Sequence, residues 1–487
     1  MKRSHIRDIG IVGWAMLAGC GGDSGTSPDP AITKPITIVS GAGASDTVNS
    51  KLAQALIIEV RVNGVLKKGV VIRFDALPSV APLRRYEAPV LISSLTSDQY
   101  GTFIADSTDA SGRARVLVQL GTVAGAAGVA ITVPELGVKD TARFTVRPGN
   151  AARIVMSVRD TAVTVGATYS LGASAGDVFG NARTELPIFA SLTPYTTIDA
   201  AGIVKAASAG RAVITIKSGA FVDTSRVSIV PDYTIVGVTQ GTISTTKLDG
   251  TGLTRLTAVA SSVMLPRWNP TGTRVVFYEG NPDSNAQLYT VDLAGVRTLV
   301  AVGAGPSTKF FPAFSADGQQ LFFAGLPAGS SYSEIWRSQA DGSGVTKLTS
   351  SGGQVVSTQP SPSPDGTKIV FNSGGIITTM DVASMTRKSL GVRGDFPKFS
   401  PDGTQILFLG QGLNFSTNLA VMNADGTNVR VSLTHVYDQY SGPSWSPDGT
   451  WIVVQDQYNN SLELVRASNF EILPLTKLNF TQASFKP

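Results

Sequence analysis

The heptapeptide Pro443-Ser-Trp-Ser-Pro-Asp-Gly449 decides the fold, because it recurs along the C-terminal half of the chain. The other copies read Pro266-Arg-Trp-Asn-Pro-Thr-Gly272, Pro312-Ala-Phe-Ser-Ala-Asp-Gly318, Pro360-Ser-Pro-Ser-Pro-Asp-Gly366 and Pro397-Lys-Phe-Ser-Pro-Asp-Gly403. Their terminal glycines are 37 to 48 residues apart, a period that marks a solenoid, array or propeller. After each glycine comes a short apolar run, such as Val275-Val-Phe277, Ile369-Val-Phe371 or Ile406-Leu-Phe408. β-Branched and aromatic runs bounded by Asp-Gly turns read as buried strands. A third strand follows, then a second turn such as Asp341-Gly342 or Asp425-Gly426, then an outer strand such as Val345-Thr-Lys-Leu-Thr349. Each period is thus a four-stranded antiparallel sheet, the blade of a propeller.

The chain's last residues, Ala483-Ser-Phe-Lys-Pro487, start a further copy and stop. The segment Ile235–Thr257 reads like its remainder, since Asp249-Gly-Thr-Gly-Leu-Thr-Arg-Leu-Thr257 matches Asp341-Gly-Ser-Gly-Val-Thr-Lys-Leu-Thr349. Five complete blades and one shared by both ends predict a six-bladed ring over residues 233–487, its exposed edges paired by the closing strand. These repeats resemble those of the TolB-type six-bladed propellers, with Pro362, Ala316 and Thr271 as departures. The small α/β domain that precedes the propeller in TolB has no counterpart pattern in the preceding residues.

The N-terminus reads as an address. Lys2, Arg3 and Arg7 precede the apolar stretch Ile9–Leu17 and then Leu17-Ala-Gly-Cys20. The apolar stretch is too short to span a bilayer, so residues 1–19 are expected to be a signal peptide. The tetrapeptide resembles the lipobox of bacterial lipoproteins, which implies diacylglyceryl transfer to the Cys20 thiol and cleavage before it. Cys20 is the chain's one cysteine, and two or more acyl chains anchor stably. By the same analogy Gly21 favours the outer membrane, and residues 20–32 read as a flexible tether.

Between tether and propeller, residues 33–147 show alternating apolar stretches, an Asn63-Gly64 hairpin signal and Thr108-Asp-Ala-Ser-Gly-Arg-Ala-Arg-Val-Leu-Val118. Residues 148–232 carry Val163-Thr-Val-Gly166, Ile198-Asp-Ala-Ala-Gly-Ile-Val-Lys205 and Gly210-Arg-Ala-Val-Ile-Thr-Ile216. Both resemble bacterial Ig-like domains, the first of invasin type. The expected fold is therefore all-β: two Ig-like β-sandwiches, then a six-bladed propeller closed by N- and C-terminal strands in one blade.

Chemistry is sparse. Of two histidines, His5 lies in the signal, leaving His435; a His/Cys zinc cluster is excluded, and no metal or other cofactor is expected. His435 with Asp438 would be half of a triad, but its place between blades favours a solvated loop residue. Gly172-Ala-Ser-Ala-Gly176 matches a nucleophile elbow only as a string, since that motif needs a strand before and a helix after. Asp317, Asp365, Asp402 and Asp448 fall one per blade and read as turn residues. Trp268, Phe314, Phe399, Trp445 and Phe485 read as wedges between blades, and Arg393-Gly394-Asp395 as a chance match to the integrin tripeptide. Without the signal, 37 basic face 34 acidic residues, unclustered, so no nucleic-acid partner is expected.

The expectation is a non-enzymatic, monomeric cell-envelope lipoprotein, outer-membrane anchored, whose propeller binds an envelope protein or peptide. The TolB resemblance places the first strands around the channel. Leu265, Phe311, Gln359, Phe396, Gly442 and Gln482 would then lie near one mouth, where apolar and amide groups suit a peptide better than a charged ligand. Two alternatives stay open: an adhesin acting through its Ig-like domains, and a loop-borne hydrolase or lyase site for envelope glycans or peptides.

Overall fold

A computed structural model of the chain describes residues 34–78, 90–260, 262–303, 305–411, 417–459, 461–475 and 478–487. Cys20, the signal and the tether lie outside the described residues. Among those described, the only helical segment is the 3-10 turn Pro134–Leu136, and no helix is long and apolar enough to cross a membrane. The chain divides into two compact units, at Gly149/Asn150.

The first unit is built from two sheets. One has the order Ile36–Ser40, Leu56–Val62, Arg113–Leu120, Val90–Ser93. The other runs Ser45–Thr47, Val138–Arg147, Gly125–Val133, Val71–Ala76, Phe103–Ser107. Strict alternation along Arg113–Leu120 turns Ala114, Val116, Val118 and Leu120 into the core, where they meet Ile72, Phe74, Ile131 and Phe144. Asn63 and Gly64 both take positive φ, 50° and 80°, as a tight two-residue hairpin with right-handed strand twist requires.

The second unit starts with a smaller all-β portion. Its main sheet has the order Thr161–Thr164, Phe221–Val230, Gly210–Ser218, Ile188–Ser191. Ser174–Gly176 is a strand here, and Asp177 caps the turn after it by accepting the Phe179 and Asn181 amides at 3.0 and 2.9 Å. A turn in place of a helix excludes the nucleophile-elbow geometry.

Four separate four-stranded sheets and one seven-stranded sheet make up the rest. The seven-stranded sheet is two blades joined by one long strand, Arg387–Phe399. Its first part is the outer strand against Ile376–Asp381, and its last part is the inner strand against Gln405–Gln411. That gives six blades. In blade 1, Thr234–Thr239 pairs with Thr242–Lys247 on one side and with the C-terminal Thr481–Phe485 on the other, Ile235 opposite Phe485 and Val236 opposite Ser484. The heptapeptides form the turns from first to second strand. In Ser363–Lys368 the Ser363 hydroxyl donates to Asp365, which also accepts the Thr367 amide at 3.0 Å, while Gly366 takes φ 71°. Asp317, Asp402 and Asp448 repeat the pattern, so each carboxylate is engaged in its own turn.

Trp445 is buried and donates its indole N–H to the Lys398 carbonyl of blade 5 at 3.3 Å; it is a wedge between blades. Asp395 sits within a strand, with its carboxylate accepting from Asn372 at 2.8 Å. The Arg-Gly-Asp string is therefore part of a sheet rather than an exposed loop. The smaller portion packs on blades 1 and 6: Ala162 and Val230 join Ile235, Leu464, Leu473 and Phe485 in one apolar cluster. Ser228 donates to the Pro474 carbonyl at 3.0 Å and Arg466 to the Ala209 carbonyl at 3.2 Å.

A cationic channel behind a ring of bulges

Five of the six inner strands reach the channel through a break in their ladders, the exception being Ser444–Trp445 of blade 6. Register shifts fall between Met264 and Arg267, Phe310 and Ala313, Thr358 and Ser361, and Asp395 and Lys398. At these breaks Leu265, Phe311, Gln359 and Phe396 take φ of 50°, 53°, 59° and 51°, and Gln482 in the closing strand takes 55°. A bulge inserts an unpaired residue, increases local twist and re-aims the side chains beyond it. Five of the six sequence-selected residues are these bulge residues. Gly442 is not; it lies under Phe396, whose ring would come within 2.4 Å of any Cβ there.

The bulges leave backbone N–H groups without ladder partners, and glutamines from neighbouring blades fill the gap. Gln482 Oε1 accepts from the Leu265 amide, and Gln359 Oε1 from the Phe396 amide, both at 2.7 Å. These amides fasten blade 1 to blade 2 and blade 4 to blade 5, so they are not free for a ligand as expected. Phe311 of blade 3 and Phe396 of blade 5 meet edge to face, with centroids 5.7 Å apart and planes at 89°. Blade 4 lies between them in the ring, so this contact narrows the channel at the bulge layer.

Beyond that layer, toward the C-terminal ends of the inner strands, lies a cavity of about 230 Å³. Leu265, Phe311, Gln359 and Phe396 line it, together with the residues two further on, among them Arg267, Ser361 and Lys398. Among the described residues, no acidic side chain lines it. Burial brings the Arg267 guanidinium down to about 10. Burial, and then the like charge of Arg267, push Lys398 well below the usual ammonium range. Both effects penalise the charged form of a base, and no acidic side chain shares the cavity with these two basic ones. Basic side chains thus join the apolar and amide groups expected there. Sequence carried a signal for these two residues. In Pro-x-Trp/Phe the aromatic wedges between blades, so by strand alternation the central residue faces the other way, and it is Arg267 or Lys398 in two copies.

His435 is not paired with Asp438, which accepts the Tyr440 amide at 3.1 Å. Its Nδ1 lies 3.0 Å from Glu463 and 3.4 Å from Asp456. The imidazole is only about a third exposed and both carboxylates are buried, so it is not the solvated loop residue expected.

The model of the TolB beta propeller domain matches residues 212–483. An uncharacterised protein of Agrobacterium fabrum is 30% identical over 189 residues, 37% of this chain and 50% of that protein; the chain spans about half the length of this relative. Among solved structures, TolB from Acinetobacter baumannii is 17% identical with a TM-score of 0.46, over 60% of this chain and 81% of that one. A putative TolB from Agrobacterium tumefaciens is 18% identical with a TM-score of 0.42, over 53% and 98%. Because the family model spans more than half of its residues, the chain belongs to the TolB β-propeller domain family.

Proposed function

We propose that this is a non-enzymatic bacterial envelope lipoprotein, acylated at Cys20 and held at the outer membrane, whose propeller channel binds a carboxylate-bearing segment of another envelope protein. The observation that carries this reading is the pair Arg267 and Lys398 facing one cavity that no acidic side chain lines. A carboxylate from outside would restore the charge balance, and planar guanidinium groups suit carboxylate geometry. The lack of acidic or imidazole side chains among its described lining residues supports binding rather than hydrolysis or elimination at this place. The all-β portions over 33–147 and 148–232 serve in this reading as Ig-like spacers, with the second also acting as a base for the ring.

The test is capture from native envelope extract at low and high salt, using wild type and the Arg267→Gln/Lys398→Gln double variant. Wild type should retain a partner that elutes with salt, and the double variant should lose it. An identical set of partners on both proteins would sink the channel reading. Retained adhesion by a chain lacking 233–487 would move the activity to the Ig-like portion.

A further inference from the structure

We infer that His435, Asp456 and Glu463 form a binding site for one divalent transition cation, of which Zn²⁺ is the best-fitting example. The three come from two elements on one face of the ring. His435 sits in the connection from blade 5 to blade 6, while Asp456 and Glu463 flank the hairpin between the second and third strands of blade 6. One ligand atom from each lies within 4.8 Å of the other two. The separations from Nδ1, 3.0 Å to Glu463 and 3.4 Å to Asp456, fit a shared ion. Donors about 2.0–2.2 Å from a four-coordinate zinc sit roughly 3.0–3.5 Å from one another.

The second observation concerns unused capacity. Glu463 has a side chain only 5% exposed, and its Oε2 has no hydrogen-bond partner. The Tyr437 hydroxyl, on a fully buried residue whose ring stacks beside His435 at 6.3 Å, faces Glu463 without forming a well-aligned hydrogen bond to it. Buried polar atoms left unmatched are costly, and a carboxylate so placed asks for a cation. A single imidazole shared with a second buried carboxylate is a poor match for two negative charges, whereas a dication matches them.

The surroundings hold the donors in place. Asp456 uses Oδ1 to accept the Tyr458 and Asn459 amides at 2.9 and 2.6 Å, leaving Oδ2 toward the imidazole. The His435 backbone is fixed by Asn418, which donates to its carbonyl at 3.0 Å. Backbone bonds from Asp438 to Gln455 and from Gln457 to Val436, at 3.0 and 3.2 Å, lock the connection to the hairpin. One nitrogen and two carboxylate oxygens suit zinc, whereas calcium and magnesium prefer oxygen alone. The partly exposed imidazole leaves an approach from solvent for the ion and for the water that would complete its shell.

The experiment uses the full chain without a polyhistidine tag, stripped with chelator and titrated with Zn²⁺, Ca²⁺ or Mg²⁺ by calorimetry. One zinc ion per chain should bind, with a raised melting temperature and a shift of the His435 ring resonances. Glu463→Gln and His435→Asn should each weaken binding by more than the roughly 10–100-fold that loss of an outer-shell partner costs. Failure of zinc to bind stoichiometrically, unchanged affinity in both variants, or calcium binding more tightly than zinc would each overturn the site. Should a variant misfold, the ring-resonance shift in wild type decides alone, and its absence refutes the proposal.

Discussion

At the scale of single residues, Lys398 shows how a binding feature opposes stability. Its ammonium is buried beside Arg267 and is pushed toward the neutral form. Replacing an unpaired, desolvated ammonium by an apolar side chain of similar size removes its desolvation cost. Lys398→Met should therefore raise the melting temperature at pH 7 by a few degrees while abolishing capture of the proposed acidic partner; a lower melting temperature would contradict the burial argument. The same depression gives binding a pH dependence. An anion in the cavity favours the charged lysine, so binding takes up a proton, and affinity should fall as pH rises through the depressed Lys398 range. Measuring wild-type capture at a series of pH values below the ordinary lysine range checks this, and a pH-independent affinity would contradict it. Asp395 offers a second case, because burial raises its carboxyl above the ordinary value. A carboxyl whose folded value is raised favours folding below its unfolded value and loses that advantage as pH rises through the folded one. Asp395→Asn keeps the acceptor for Asn372 and should stabilise at pH 7 but not at pH 4, as melting at the two pH values will show. Arg267 and Lys398 were legible only as the middle letters of a motif whose outer letters attract the eye. Asp456 and Glu463 carried no local signal at all, since their meeting with His435 depends on the bridge between Tyr437 and Asp456 and on the pairing of Val454 with Glu463.

At the scale of elements, the blades were legible because their causes are local. Asp-Gly turns, alternation and wedge aromatics each act within a few residues, and every blade carries most of them. The bulges were located but not understood from sequence, since positive φ at a phenylalanine or glutamine is unusual and is maintained by contacts from the next blade. Gln359→Ala should leave the Phe396 amide without its acceptor and cost about 1–3 kcal/mol. Thermal unfolding would reveal it, with Gln482→Ala behaving alike at Leu265; no loss in either would mean that the amides are satisfied otherwise. The shortest repeat, between Gly366 and Gly403, is explained by Arg387–Phe399, which serves two blades without an intervening connection.

At the scale of the molecule, the closing strand does more than complete blade 1. Ala483, Ser484 and Phe485 are all buried, and losing a buried phenylalanine alone costs about 3–5 kcal/mol. Deleting Ser484–Pro487 should open the ring and lower the melting of residues 150–487, leaving the unit ending at Gly149 unaffected. Two separately monitored transitions would test it, and an unaltered upper transition would refute closure. That the smaller portion should melt with the ring was not legible. The hydrogen bonds that tie it down join residues 246 and 257 positions apart, and no periodicity reports such a contact.

The pairing of Thr234–Thr239 with Thr481–Phe485 also sets a timetable. A chain delivered from its N-terminus holds the inner edge of blade 1 open while some two hundred residues arrive, and non-local pairings of this span form slowly. For that interval the edge is a template for any passing strand. A chaperone that covers this edge until Thr481–Phe485 arrives should raise the yield of folded protein.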